Sequence, residues 1–216
     1  MSVRGNLPIQ YKCGVAQFCE MPFFVNKSVL IPRFDTELLV ETVIMNVPQG
    51  ARVWDLCTGS GCVAVVLARH GFAVAGVDVS RGALRVSRRN NKLNGTGAVF
   101  VRGDVTKRGF AGAGDVVVCN PPYVKTDEIG KWDATTLHEP RIALDGGADG
   151  LQFYREIIVR NSGNADNTGA GEFFFEIDYR AGEDVKKLLQ NAGYNNITIY
   201  KDARGHDRVI HGKRIF

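Results

Sequence analysis

From Arg52 onward the chain alternates short apolar runs with helical stretches, and that alternation restricts it to a parallel β-sheet wrapped by helices. Arg52–Leu56, Ala73–Asp78, Ala98–Val101, Asp115–Cys119 and Glu172–Ile177 have the length and the β-branched or aromatic content of buried strands. Helices are expected over Val63–His70, from the Ser80 cap to about Leu93, over Gly150–Val159, and over Ala181–Asn191 up to Gly193. Ile197–Tyr200 and Arg208–His211 read as a closing strand pair. An earlier helix opens near Asp35 or Thr36, either of which can cap it. It shows an apolar stripe at Leu38, Leu39, Thr42, Val43 and Met45, and stops at Pro48-Gln49-Gly50. The expected organisation is a small N-terminal hairpin or lid over 1–34 and one α/β domain over 35–216.

At 216 residues, with 44% apolar and 23% charged content, the chain suits one globular domain with a sizeable core. No apolar run approaches the ~20 residues that cross a bilayer, so a membrane role is not expected. The first residues lack the apolar core of a signal peptide. The net charge of +4 is mild. Arg81, Arg85, Arg88 and Arg89 read as a solvated helix face, with an RNA-rich or acidic partner as the alternative. Five cysteines show no zinc spacing, and Cys57 and Cys119 fall at the ends of apolar strands. The expected setting is a reducing, cytoplasmic one without disulfides or metal.

The chemistry points to Asn120-Pro121-Pro122-Tyr123. Two prolines cannot continue the preceding strand, so the chain turns out of the sheet. Asn120 and Tyr123 are left at the carboxyl end of a central strand, where open α/β sheets bind ligands. Asn120 offers a side-chain carbonyl, and Pro121 offers a main-chain carbonyl held in a fixed direction. Two oxygens converging on one NH2 group orient its nitrogen lone pair. Tyr123 adds a flat face for a planar group. The tetrapeptide therefore reads as a clamp for an amide or amine.

Upstream, Asp55-Leu56-Cys57-Thr58-Gly59-Ser60-Gly61 joins the first sheet strand to its helix. Gly59 and Gly61 permit close backbone approach to a ligand, and the helix N-terminus favours negative groups. Asp78, followed by Val79, can accept hydrogen bonds from ribose hydroxyls; Asp104, followed by Val105, can accept from an adenine amino group. Gly59-x-Gly61-x-x-Ala64 also fits a dinucleotide fingerprint. Three features favour S-adenosylmethionine instead. A carboxylate at Asp55 would repel a pyrophosphate but can take an ammonium group. A second acidic tip occurs at Asp104. The Asn-Pro-Pro-Tyr clamp follows the fourth sheet strand. Phe34 and Thr36 are placed at the cofactor or substrate mouth. Asp78 as a helix cap and Asp104 as a turn residue are the structural alternatives.

Four motifs occur in order: Ile31-Pro32-Arg33-Phe34-Asp35-Thr36-Glu37, the 55–61 loop, Asn120-Pro121-Pro122-Tyr123, and Glu139-Pro140-Arg141-Ile142-Ala143-Leu144-Asp145-Gly146-Gly147. Together they resemble the HemK/PrmC family, the protein-(glutamine-N5) methyltransferases of peptide chain release factors, from about Pro8 to the C-terminus. The resemblance implies a Rossmann-like, seven-stranded methyltransferase sheet and S-adenosylmethionine as cofactor, with S-adenosylhomocysteine as product. It implies as substrate the Gly-Gly-Gln loop of a release factor.

The chain departs from the family in three ways. It has no N-terminal helical domain, so an accessory protein is expected to replace that docking function. Phe34 stands where the family has a second proline. Cys57 stands at a frequent glycine, a modest change for a residue with negative φ.

Asn120 and Pro121 are expected to grip the amide, with Pro122 and Tyr123 beside it. Glu139 to Gly147 is expected to close over the site, where Arg141 either pairs with the cofactor carboxylate or holds Glu139. His138, His206 and His211 read as structural or surface residues. Competing functions are adenine-N6 methylation of nucleic acid, methylation of a ribosomal protein glutamine, and a non-catalytic cofactor-binding subunit. Direct nucleic-acid binding is not expected, because a 216-residue chain at +4 offers little to hold a flipped base.

Overall fold

The computed structural model describes residues 7–131, 136–163 and 169–214. The first six residues of the N-terminal segment, and residues 132–135 of the stretch after the proline turn, lie outside the described residues. A one-turn helix α1 (Ile9–Cys13) leads into a hairpin of β1 (Val15–Phe18) and β2 (Met21–Phe24). Arg33 to Thr36 then form a tight turn before α2 (Glu37–Asn46). Neither Asp35 nor Thr36 caps α2 with its side chain, because that 3-10 turn takes up the first backbone groups.

The main sheet has seven strands in the order β5-β4-β3-β6-β7-β9-β8. β3 (Arg52–Leu56), β4 (Ala73–Asp78), β5 (Val99–Arg102), β6 (Val116–Cys119) and β7 (Glu172–Glu176) run parallel. β8 (Asn196–Lys201) and β9 (Asp207–Lys213) form the expected closing pair, and β9 inserts antiparallel between β7 and β8. The helices between strands are α3 (Cys62–Arg69), α4 (Arg81–Asn94), α5 (Gln152–Asn161) and α6 (Gly182–Asn191). Ser80 caps α4, its hydroxyl accepting from the Ala83 N–H at 3.2 Å.

One apolar cluster packs on each face of the sheet. Leu39, Val63, Leu67, Leu84 and Phe174 belong to one, and Leu56, Val117, Tyr154, Phe173 and Phe175 to the other. The central strands are therefore apolar on both faces, as Val116 to Cys119 are. β6 and β7 need no alternation, and their polar residues gather where the strands end. β3 is flanked by β4 on one side and β6 on the other, so the chain reverses its winding between β3 and β6. That switch point opens a crevice at the carboxyl ends of the two strands. The Asp55 loop enters the crevice from β3, and Asn120 enters it from β6.

Candidate active site

The loop after β3 bends tightly. Gly61 N–H donates to the Thr58 carbonyl at 2.8 Å, and Thr58 N–H donates across to the Val77 carbonyl at 2.9 Å. Gly59 has φ of 53° and lines the cavity; a Cβ there would meet only the Cys57 carbonyl oxygen, at 3.8 Å. Gly61 has a different reason to be glycine. A Cβ there would stand 2.8 Å from Cβ of Ser87, so its absence lets α3 pack against α4. Gly61 sits behind the cavity wall rather than on it. Cys57 has φ of 59°, so the condition under which its replacement of glycine would be modest is not met. A β-carbon in this left-handed conformation costs about 1–2 kcal/mol.

Asp55 is buried beneath the loop. Its Oδ2 accepts from the Thr58 hydroxyl and from the Ala64 N–H at 3.2 Å. Oδ1 is left as the acceptor for a ligand in the cavity that Asp55 lines. Burial pushes the Asp55 carboxyl up to about 7, against the pull of Thr58 and Ala64. At the tip of β4, Asp78 Oδ2 accepts from Gly59 N–H at 2.9 Å, and Oδ1 accepts from Ser80 N–H at 2.8 Å. Asp78 thus pins the glycine loop to the start of α4, and each oxygen keeps a lone pair for another donor. Burial raises its pKa as well. Asp104 is more exposed and turned to its own loop. Its Oδ1 accepts from the Thr106 hydroxyl at 2.6 Å and from the Thr106 N–H at 3.0 Å, bonds that lower its pKa.

These groups surround a cavity of about 310 Å³. Asp55, Cys57, Thr58, Gly59, Ser60, Asp78, Val79, Asp104 and Val105 all line it, as do Thr36 and Asn120. Its roof comes from residues that strand and helix patterns do not single out. Ser28, Val29 and Leu30 reach over from the N-terminal segment, Pro140, Ile142 and Ala143 from the 139–147 stretch, and Phe153 from α5. Phe34 is not among the lining residues; it is 79% exposed and stands on a second cleft. This division, Thr36 on the first cavity and Phe34 on the second cleft, follows from the tight turn before α2.

The second cleft, of about 500 Å³, adjoins the first through Asn120, which lines both. Pro121 and Tyr123 line the second cleft only, and Pro122 lines the first. Asn120 Nδ2 donates to Thr36 Oγ1 at 3.1 Å, so the amide oxygen is turned the other way. The Tyr123 hydroxyl donates to Glu176 Oε1 at 3.0 Å, fixing the ring beside the turn. Glu176, at the end of β7, lines the same cleft and is fully buried. No sequence motif points to Glu176; its signal is only a carboxylate that follows three phenylalanines at the end of a strand.

The 139–147 stretch straps over the proline turn. Val124 N–H donates to the Leu144 carbonyl at 2.9 Å, and Gly146 N–H donates to the Val124 carbonyl at 2.8 Å. A Cβ on Gly146 would meet Tyr123 Cα at 2.7 Å, so this close crossing requires glycine. Glu139 is buried. Its Oε1 accepts from Ile31 N–H at 3.0 Å and its Oε2 pairs with Arg33 at 2.6 Å. Arg141 is exposed and pairs with Asp145 at 3.2 Å. Arg141 therefore does not hold Glu139, which Arg33 does, and it lines neither of the two clefts at Asn120. Glu139 joins the N-terminal segment to the strap and faces neither cleft. His211 is buried against Glu172 and stacked on Phe174, while His206 lies tilted against Tyr179 at the surface.

Among the described residues, no group of three or more His, Cys, Asp or Glu side chains is placed to hold a metal, and no helix is long and apolar enough to cross a membrane. The family described as "Methyltransferase small domain" matches residues 33–139, which takes in both the Asp55 loop and the Asn120 turn. With the seven-stranded sheet, a buried carboxylate under a glycine loop and an amide at the switch point, the chain is an S-adenosylmethionine-dependent methyltransferase.

Its relatives narrow that class. A release factor glutamine methyltransferase of Geobacter sulfurreducens is 37% identical over 95% of this chain and 73% of its own. One from Clostridium acetobutylicum is 38% identical over 96% and 75%. The chain belongs to the release factor glutamine methyltransferase family.

Solved structures agree on the fold. The E. cuniculi Mtq2–Trm112 complex, described as responsible for methylation of the eRF1 translation termination factor, aligns with a TM-score of 0.60 at 22% identity, covering 87% of this chain and 99% of that one. The hMettl16 catalytic domain aligns at 0.67 with 14% identity, covering 96% and 78%. Magnesium protoporphyrin IX methyltransferase from Synechocystis with bound S-adenosylmethionine aligns at 0.53 with 15% identity, covering 84% and 80%.

Proposed function

We propose that this protein methylates the side-chain amide nitrogen, N5, of the glutamine in the Gly-Gly-Gln loop of a peptide chain release factor. The observation that carries the reading is Asn120, placed where the two clefts meet with its amide nitrogen tied to Thr36. One cleft suits the methyl donor and the other suits a protein loop, so a transferred group passes beside Asn120.

The cofactor fits the residues of the first cavity. Asp55 would take its ammonium group, and Asp78 its ribose hydroxyls. Val79, Val105 and Phe153 would pack its base. When bound, S-adenosylmethionine supplies a methyl group already activated on a sulfonium. The protein's task is then alignment and exclusion of water. A glutamine nitrogen is a poor nucleophile because its lone pair is delocalised into the carbonyl. Asn120 Oδ1 and the Pro121 carbonyl accept its two N–H bonds, which favours the more pyramidal nitrogen of the transition state. Tyr123 packs beside the amide. No strong base is required, since the proton can leave to water after methylation. The reaction draws on no metal.

The identities of 37% and 38% to release factor methyltransferases favour this substrate over adenine or a ribosomal protein. An accessory protein at the substrate-docking step, in the manner of the two-protein complex that shares this fold, belongs to the same proposal. The setting proposed is the cytoplasm, where translation factors act. Mass spectrometry of a release factor incubated with the protein and cofactor tests the reading. The expected result is a single added methyl on the tryptic peptide that carries Gly-Gly-Gln. An unmodified release factor beside methylated DNA or ribosomal protein would refute it.

A further inference from the structure

We propose that Phe34 and Tyr179 are the substrate anchors of the second cleft, two exposed aromatic faces that hold the glycine-rich backbone of the release factor loop while its glutamine reaches Asn120; the proposal rests on the function inferred above. Both rings line the cleft that Asn120, Pro121 and Tyr123 also line. Phe34 is 79% exposed and Tyr179 52%. One exposed apolar side chain needs no explanation, but two aromatic rings on one cleft mark a contact surface. The fold itself does not need phenylalanine at position 34. Phe34 opens the one-turn helix before α2, and Arg33 ahead of it is extended, with ψ of 146°. Proline suits such a position, because the first N–H of a helix has no partner within it and an extended residue precedes proline readily. The ring of Phe34 is therefore surface offered to something else.

Both anchors are held in place before any substrate arrives. The residues flanking Phe34 are each ion-paired: Arg33 with Glu139 at 2.6 Å, and Asp35 with Arg204 at 3.2 Å and Arg208 at 3.6 Å. The Tyr179 ring lies 5.1 Å from the His206 ring, and the Arg180 guanidinium stands 5.7 Å from its centroid. Arg180 is fixed in turn by Glu128 and Asp178, both at 2.8 Å. Aromatic side chains with few torsions, supported in this way, give contact area at a low cost in entropy.

The charges of the cleft decide what occupies it. Among the described residues its arginines are Arg33, Arg204 and Arg208, and each is paired with a carboxylate, of Glu139, of Asp35, or of Asp35 and Asp202. A nucleic-acid backbone binds through cations free to meet its phosphates, and here they are committed to neighbours. The aromatic surface is what stays uncommitted, and it suits flat, uncharged peptide groups. Glycines bring those groups closest to a ring, because no Cβ stands in between.

Phe34→Pro and Tyr179→Ala remove one ring each, while Phe34→Trp and Tyr179→Phe keep an aromatic face. Each variant is assayed for release factor methylation at saturating cofactor, with folding checked by thermal unfolding. KM for the release factor should rise about tenfold in F34P and in Y179A, the loss of one aromatic contact. The kcat at saturating release factor should stay within about twofold, which separates anchors from the groups at Asn120. F34W and Y179F should keep near wild-type KM, because the ring face is used and not the hydroxyl. Wild-type KM should change less than about threefold between about 50 and 200 mM salt, a range in which phosphate-dependent binding weakens far more.

An unchanged KM in F34P and Y179A, with the wild-type protein active, would overturn the anchors and leave glutamine methylation standing. An F34W variant as poor as F34P would trace the loss to the backbone instead of the ring, and would overturn Phe34 as an anchor. If F34P does not fold, the Tyr179 pair decides alone. An unmodified release factor with the wild-type protein would instead remove the assigned substrate, and the proposal with it.

Discussion

Asp55 has a folded pKa of about 7 against 3.8 for a free aspartate, because burial penalises its charge. Two opposite pH effects follow. A raised pKa means that the folded state holds its proton where the unfolded chain has released it. Asp55 therefore costs stability progressively as pH rises from about 4 to 7. The cofactor ammonium needs the ionised form, so affinity should climb about tenfold per pH unit below 7 and level off above it. Calorimetric Kd values across pH 5–8 check this, and Asp55→Asn should flatten the profile while weakening binding. The Asn120→Ala prediction belongs at the same scale. It removes the acceptor at the meeting of the clefts, and kcat should drop about tenfold or more with cofactor Kd nearly unchanged. A variant with normal turnover would show the clamp to be misplaced.

Single residues also show where sequence reading reached and where it stopped. Asn120 and Asp78 were readable because each sits at the end of an apolar run, and such ends line the crevice of an open sheet. Gly61 was readable as glycine but not as a packing glycine, since the Ser87 Cβ it avoids belongs to another helix. The exchange of Arg141 for Arg33 has the same origin. Both arginines lie in motif segments, and only the folded path shows Arg33 reaching Glu139. Glu176 carried no local pattern at all, because its partner Tyr123 is remote in sequence.

Among the elements, the strands were the most legible. β3 and β4 match the apolar runs Arg52–Leu56 and Ala73–Asp78 residue for residue. The start of α5 was not, since Gly150, with φ of 77°, belongs to the turn before it and the helix begins at Gln152. The strap was legible as a cover, but its attachment was not. Its anchor is an ion pair of a buried Glu139 with a part-exposed Arg33, so breaking it costs less than breaking a fully buried pair. Glu139→Ala should leave Arg33 and Ile31 N–H without their acceptor, lowering stability by about 1–2 kcal/mol and loosening the cavity roof. Urea unfolding measures the first effect, and faster proteolysis near residues 28–33 the second. Gly146→Ala should be harmful for a different reason, because its Cβ would collide with Tyr123 Cα, 2.7 Å away.

For the whole molecule, the first cavity is enclosed by the N-terminal segment, the loop after β3, the tips of β4 and β5, the proline turn and α5. A ligand there should tie these parts together. At a free concentration of 100 times Kd, S-adenosylmethionine should add about 2.7 kcal/mol of stability, or roughly 5–10 °C in Tm for a chain of this size. Differential scanning fluorimetry with and without cofactor reads the shift, which Asp55→Asn should largely abolish.

The Arg33–Glu139 pair has a consequence for the newborn chain. Its two halves are 106 residues apart, and ribosomes add about 5–20 residues per second. Arg33 and the hairpin before it therefore wait some 5–20 s outside the exit tunnel before their counterpart emerges in turn. For that interval the hairpin's apolar face has no completed core to cover, and chaperone capture of the nascent polypeptide should peak there and end once residue 139 emerges.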